Sequence, residues 1–258
     1  MKNITRLIHN PRCDPRYRPE GSKYASEIIC RDSGYYAIIM KGQDLYEEIR
    51  LPIGWGFGAC VATRGGGHTT GAPSIETTGV NNPEMAEFAQ RAYGVKTINP
   101  DEYEGKAKLV IYFERHQEIV NSLGICMFVT CWQDPTQLKL PEIAEIFSAA
   151  TGWDTTADEL VKTADRILNL EKAFNVLYAN LGRKDDYPPE RCLKEPVKSG
   201  RYKEFALSRQ KYDKMLDEYY QLHGWDSDSG LQTRKCLENL NLANVADDLE
   251  RAHKIAEM

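Results

Sequence analysis

Two side chains in this sequence have the chemistry a redox centre needs, the thiol of Cys126 and the imidazole of His68. A thiolate binds soft metals and iron–sulfur clusters, and an imidazole accepts or gives a proton near neutral pH. Both sit among glycines. His68 closes the run Arg64-Gly65-Gly66-Gly67-His68, where three residues without a Cβ let the chain lie flat against a ligand or another main chain. Cys126 ends Asn121-Ser122-Leu123-Gly124-Ile125-Cys126, a glycine inside an apolar helical stretch. That glycine costs roughly 1 kcal/mol against Ala in a helix. An interruption there would expose backbone N–H groups suited to a phosphate or a pterin side arm. The plain alternatives are a buried reduced cysteine and an ordinary tight turn.

The remaining cysteines, Cys13, Cys30, Cys60, Cys131, Cys192 and Cys236, show no CxxC spacing, so neither a disulfide framework nor a self-contained zinc site is expected. A net charge of -5 provides no basic field for nucleic acid. No apolar run approaches the roughly 20 residues of a membrane span, and Met1 to Asn10 is too weakly apolar for a secretion signal, so a cytoplasmic protein is expected. With 258 residues, 41% of them hydrophobic, the chain can bury a core of one large domain or two modest ones.

The elements that must position these groups are mainly helical. Residues 1–34, with Pro11, Pro15, Pro19 and Gly21, read as an arm of extended chain or loop, and Tyr35 to Met40 as a short strand. Gly54, Gly56 and Gly58 alternate with Trp55 and Phe57, so something presses closely on this backbone. Beyond Asn81, helices are predicted from a cap at Asn82 to Gly94, from about Lys106 to Trp132 with a stop at Asp134-Pro135, and between Pro141 and Gly152. A capping box at Thr156 and Glu159 starts a helix whose apolar stripe, Leu160 through Phe174 to Leu181, reads as core, with Asp165 and Lys172 on the other face and Gly182 as its end. Two more helices, about Ser208 to Leu222 and Thr233 to Ala256, flank a Gly224-Trp225-Asp226 turn.

Three stretches resemble the C-terminal part of the tungsten-containing aldehyde ferredoxin oxidoreductase family. They are Lys41-Gly42 with Gly56 to His68; Ser122 to Phe128; and a long block from Arg166 through Glu171-Lys172-Ala173-Phe174-Asn175, Arg183-Lys184-Asp185-Asp186 and Glu195-Pro196 to Gly224-Trp225-Asp226 and Leu237. The resemblance implies multi-helical C-terminal domains with a short strand segment near the N-terminus. In that frame residues 35–80 correspond to the end of a middle domain and 81–258 to the helical C-terminal domain, while 1–34 has no counterpart. It also implies a bis-pterin tungsten or molybdenum cofactor beside one [4Fe-4S] cluster, with oxidation of an aldehyde to its carboxylate and ferredoxin as electron acceptor.

Carried over residue by residue, Cys126 matches the last cluster cysteine, and His68 a histidine near metal and substrate that donates a hydrogen bond or moves a proton. Arg64, Asn121, Gly124, Ile125 and Cys126 fall at pterin contacts. Asn121 replaces an acid, and Glu48 stands where relatives have a histidine associated with an interface iron. The family's CxxCxxxC group and pterin-cradling N-terminal domain have no counterpart in these residues. An N-terminal pterin-binding partner, an electron-transfer protein such as ferredoxin and a homo-oligomeric arrangement are therefore the implied associations. A component of an aromatic acyl-CoA reductase, and a helical module that has kept the fold without the chemistry, are the alternatives.

Overall fold

A computed structural model of the chain describes residues 21–29, 32–45, 47–78, 83–132, 134 and 136–256. Helix α1 (Gly21–Ile29) precedes a two-stranded antiparallel hairpin, β1 (Ile39–Met40) and β2 (Gln43–Asp44), with Ile39 opposite Asp44. There follow α2 (Ile53–Val61), α3 (Ile75–Thr78), α4 (Pro83–Tyr93), α5 (Lys106–Leu123), α6 (Leu140–Thr151), α7 (Ala157–Ala179), α8 (Glu190–Lys194), α9 (Arg209–His223), α10 (Arg234–Asn239) and α11 (Ala243–Arg251). The mainly α expectation holds. Helix α5 is central, packed on α2, α7 and α9.

Several local expectations are corrected. The loop reading of the arm misses α1, which Asp44 secures by accepting from the backbone and hydroxyl of Ser22. Residues 33–36 form a 3-10 turn, leaving only Ile39–Met40 of the expected strand. Helix α5 stops at Leu123 rather than Trp132 because Gly124 takes a left-handed conformation, φ 68°. Asn180 (φ 54°), not Gly182, ends α7, and the last predicted helix divides into α10 and α11. The expected cap Asn82 and the stop residue Pro135 lie outside the described residues, whereas Pro83, Gly94, Pro141 and Gly152 punctuate α4 and α6 as predicted.

The glycine alternation lies in a buried helix, α2. Three glycines weaken α2 by roughly 1 kcal/mol each, yet each lies where a side chain has no room. A Cβ on Gly56 would stand 1.9 Å from the Ile49 carbonyl oxygen, one on Gly58 2.9 Å from the Ala72 Cα, and one on Gly54 2.6 Å from a Glu76 carboxylate oxygen. Gly54 and Gly58, one turn apart, share a face while Gly56 lies on the other side of the helix, and Phe57 between them meets Tyr212 and Tyr219 edge-on at 5.5 Å.

Buried charges tie α2 to the body at both ends. At its N-terminus, Glu76 accepts from the backbone N–H of Trp55 (2.7 Å) and Gly54 (3.3 Å) and pairs with Lys106 at 2.6 Å, both side chains fully buried. At its C-terminus, Lys41 Nζ donates to the carbonyls of Val61 and Ala62 (2.8 Å each) and pairs with Asp186 at 2.6 Å. Asp186 also meets Lys172 at 3.4 Å and accepts from the Tyr220 hydroxyl at 2.5 Å. Lys172 is therefore buried, contrary to its predicted place on the polar face of α7. Phe174, predicted as core, is 62% exposed.

Burial alone would raise the Asp186 carboxyl; Lys172 and Lys41 outweigh it and hold it below the ordinary aspartate value. The stability it contributes is present above the unfolded value and is lost as pH falls through the lowered folded one. Asp186→Ala, which strands two buried cations, is expected to lower unfolding free energy by about 3–5 kcal/mol in urea denaturation. A loss below about 1 kcal/mol, the scale of a surface pair, would contradict this role.

Candidate functional site

The loop that carries His68 is shaped from behind. Gly65 and Gly66 have φ of 74° and 73°, and added Cβ atoms would lie 2.6 Å from the Met40 carbonyl oxygen and 2.5 Å from the Gln43 Cβ. What presses on these glycines is the β1–β2 hairpin, the main-chain alternative of the two their spacing allowed. Thr63 is fastened to α7, donating its hydroxyl to Glu171 (2.5 Å) and accepting from the Asn175 amide on its carbonyl (2.6 Å). Arg64 is exposed, with one contact to the Thr69 hydroxyl at 3.4 Å.

His68 is oriented by groups from separate elements. Its Nδ1 lies against the Glu47 carboxylate, and the Trp55 indole N–H donates to the other Glu47 oxygen at 2.7 Å. A carboxylate can only accept, so Nδ1 is the donor of this pair. Trp55 stacks on the imidazole with centroids 4.9 Å apart, and Trp132 lies on it at 6.1 Å. The Trp132 indole donates to the Ala72 carbonyl at 2.9 Å. Glu47 was not singled out in the sequence; the signal for it was an acid near a candidate imidazole, which only the fold could bring together.

The Cys126 loop reaches the same assembly through its rings. Gly124 and Ile125 close α5 with paired bonds: the Gly124 N–H donates to Asn121 O (3.3 Å) and the Ile125 N–H to Val120 O (2.9 Å), while Ile125 packs on the Val120 cluster. The break is a helix C-terminus with these N–H groups already used, so the phosphate-favouring N–H array expected there does not form. Cys126 follows in extended conformation, opening a 3-10 turn over Met127–Val129. Phe128 of that turn meets Trp132 edge-on at 5.6 Å, and Trp132 in turn lies on His68. Asn121 is exposed, its side-chain Oδ1 accepting from the Gln117 amide at 2.9 Å.

Cys126 differs from the other described cysteines in being exposed. Burial pushes the Cys60 thiol up to about 12 and the Cys131 thiol up to about 11, and raises Cys192 as well. Cys13 and Cys30 lie outside the described residues. Glu48, at the position of the expected interface histidine, is committed to Arg50 at 2.5 and 2.7 Å; burial raises its carboxyl, but the Arg50 guanidinium outweighs that and lowers it. Among the described residues no group of three His, Cys, Asp or Glu could hold a metal ion. The chemistry on offer is one accessible thiol and one carboxylate-oriented imidazole, each able to contribute to a centre completed by other groups. No helix among the described residues is long and apolar enough to cross a membrane.

Comparison with known proteins gives a consistent result. The family described as aldehyde ferredoxin oxidoreductase, domains 2 and 3, matches residues 18–242. A tungsten-containing aldehyde ferredoxin oxidoreductase of Pyrococcus furiosus is 30% identical over 190 residues, 74% of this chain and 28% of that protein. The Thermococcus kodakarensis enzyme of the same description is 28% identical over the same shares. The chain thus spans between a quarter and a third of the length of these relatives. Among solved structures, the active site complex BamBC of benzoyl coenzyme A reductase, in complex with 1,5-dienoyl-CoA, is similar in fold, with a TM-score of 0.65 and 19% identity over 92% of this chain and 38% of that one.

Exposure of Cys126, and burial that keeps Cys60, Cys131 and Cys192 protonated, predict which cysteine reacts. Iodoacetamide applied to the folded chain is expected to alkylate Cys126 well before Cys60, Cys131 or Cys192, as read by peptide mass spectrometry at short times. Labelling of Cys131 as fast as Cys126 would contradict the placement of both.

Proposed function

The chain belongs to the aldehyde ferredoxin oxidoreductase family, and from that premise we propose that it is the C-terminal part of a tungsten or molybdenum pterin and iron–sulfur oxidoreductase. The reaction proposed is oxidation of an aldehyde to its carboxylate, with ferredoxin as electron acceptor. One observation carries the reading. The exposed Cys126 opens a turn whose Phe128 packs on Trp132, which in turn lies on His68, an imidazole already fixed by Glu47.

The residues present fit the implied groups as contributors. Cys126 would provide one thiolate to a [4Fe-4S] cluster, and Arg64 and the Asn121, Gly124, Ile125 turn would face the pterins; the remaining ligands would come from an N-terminal pterin-binding part. When bound, these groups supply two-electron oxidation and one-electron transfer outward. His68, with its proton at Nδ1 held by Glu47, presents Nε2 as the atom that accepts a proton or, once protonated, donates a hydrogen bond to a substrate oxygen. Trp55, stacked on the ring with Trp132 beside it, limits the tilt of the imidazole. Asn121 brings an amide where an acid would bring charge, so its contact to a pterin amino group would be a neutral hydrogen bond.

A second reading is favoured by the shared fold with the benzoyl coenzyme A reductase complex: a component that reduces an aromatic acyl-CoA thioester at a similar centre. Turnover of the assembled protein with aldehydes against aromatic thioesters separates the two.

In an assembly reconstituted with its pterin-binding part, Cys126→Ser is expected to abolish iron content while Cys131→Ser retains it, measured by elemental analysis. Equal loss from both would remove Cys126 as a ligand. His68→Ala is expected to keep tungsten or molybdenum and to lower turnover by about 10²-fold or more, the scale of a lost proton-transfer group. Loss of metal instead would make His68 structural.

A further inference from the structure

The short turn that carries His68 runs on into Gly71 and Ala72, and these two residues are gripped between two helices. On the α2 side, a Cβ at Gly58 would stand 2.9 Å from the Ala72 Cα and 3.1 Å from the Gly71 carbonyl oxygen. On the α5 side, a Cβ at Gly71 would overlap the Glu114 Cγ and lie 3.2 Å and 3.3 Å from the Glu114 backbone nitrogen and Cα. Gly71 has φ 170°, extended backbone open to any residue, so glycine here answers to space alone.

The side chain it meets cannot swing aside. Glu114 is 1% exposed, and its carboxylate is held from α9. The Tyr219 hydroxyl lies 2.9 Å and 3.1 Å from its two oxygens, and His223 Nε2 lies 3.4 Å from one of them. His223 in turn stacks on Trp225, with centroids 4.3 Å apart. Turning Glu114 away from Gly71 would strand these partners in the interior.

From this seat the path to the imidazole is short. The N–H groups of Gly71 and Ala72 donate to the His68 carbonyl at 3.4 Å and 3.2 Å. The Ala72 carbonyl accepts from the Trp132 indole at 2.9 Å, and the Trp132 ring lies on His68 at 6.1 Å. Glu47 and Trp55 set how the ring is turned; the seat on α5 sets how deep it lies.

We propose that Gly71 and Glu114 are positioning residues for His68: the bare Gly71 lets the turn lie flush on α5, and the clamped Glu114 fixes its depth. The proposal rests on the redox reading above, in which His68 serves the substrate. A close-packed interior leaves no slack to absorb a side chain at position 71, so one placed there must lift the turn. Ala72 would move with it and loosen the Trp132 bond.

Proton NMR of the purified chain tests the seat. Stacking on Trp55 shifts the His68 ring C–H resonances upfield, and their loss in His68→Ala assigns them. Gly71→Ala and Glu114→Ala are each expected to move them downfield, and Glu114→Gln, which keeps the Cγ and an acceptor for Tyr219, to restore their place. Unmoved resonances in a folded Gly71→Ala chain overturn the proposal. Should that variant not fold, the unaltered chain decides it: nuclear Overhauser contacts between the Gly71 Hα and Glu114 Hγ protons are expected, and their absence overturns it.

Turnover of the assembled enzyme tests the consequence. Gly71→Ala is expected to keep its metal and its KM while kcat falls about 10²-fold, the scale of a misplacement of about 1 Å. Glu114→Ala should lower kcat in the same way, with Glu114→Gln restoring most of it. An unchanged kcat in Gly71→Ala overturns the positioning role and leaves the redox reading intact. Absence of tungsten, molybdenum and iron from the unaltered assembly sinks the redox reading instead, and with it the purpose of the seat.

Discussion

The carboxylate of Asp186 holds two buried ammonium groups, Lys41 and Lys172, and much of the remaining architecture follows from it. Removing three charges from water is expensive, and mutual attraction offsets the cost better when the leftover donors and acceptors find partners. Lys41 spends two further donors on the last carbonyls of α2, Lys172 lies 5.0 Å from the centre of the Trp225 ring, and Tyr220 and Tyr212 donate to the Asp186 side chain and carbonyl. One carboxylate therefore joins the hairpin, α2, α7 and α9, so the short N-terminal elements have no independent freedom to shift against the helical body.

Helix α2 turns that constraint into a position for the site. Its ends are fixed by charges of the sign its dipole requires, Glu76 at the N-terminus and Lys41 at the C-terminus. Its glycines let the Ile49 and Ala72 main chains approach from different sides, closer than any side chain would allow. Trp55, on the first turn, then has little choice of direction. It stacks on His68 and bonds Glu47, so the imidazole takes its orientation from a helix packed directly against neighbouring backbone.

The sequence made the capped elements legible and the long-range ones not. Thr156 with Glu159, Pro83 with Gly94 and Pro141 with Gly152 report local hydrogen bonding and backbone angles, which neighbouring residues decide. The nature of α2 was hidden because three glycines argue against a helix locally, and what reverses the argument is distant backbone at Ile49 and Ala72. Lys172 was assigned to solvent because the residue paired with it, Asp186, is 14 positions away. Phe174 looked like core because helical periodicity marks a stripe without saying where the covering element ends. For the site, the types and glycine contexts of His68 and Cys126 were readable; Glu47 and Trp132, which orient and connect them, were not.

These facts bear on why the candidate site has so few metal donors of its own. Fixing a ligand to well under an ångström requires support behind it more than additional ligands beside it. The described chain invests in that support. Buried pairs hold α2, a double hydrogen-bonded stop ends α5 one residue short of the Ile125-Cys126 step, and Trp132 is pinned by the Ala72 carbonyl beneath both loops. Such a surface, offering one thiol and one carboxylate-oriented imidazole, suits the proposed role of contributing single groups to a centre completed by other protein.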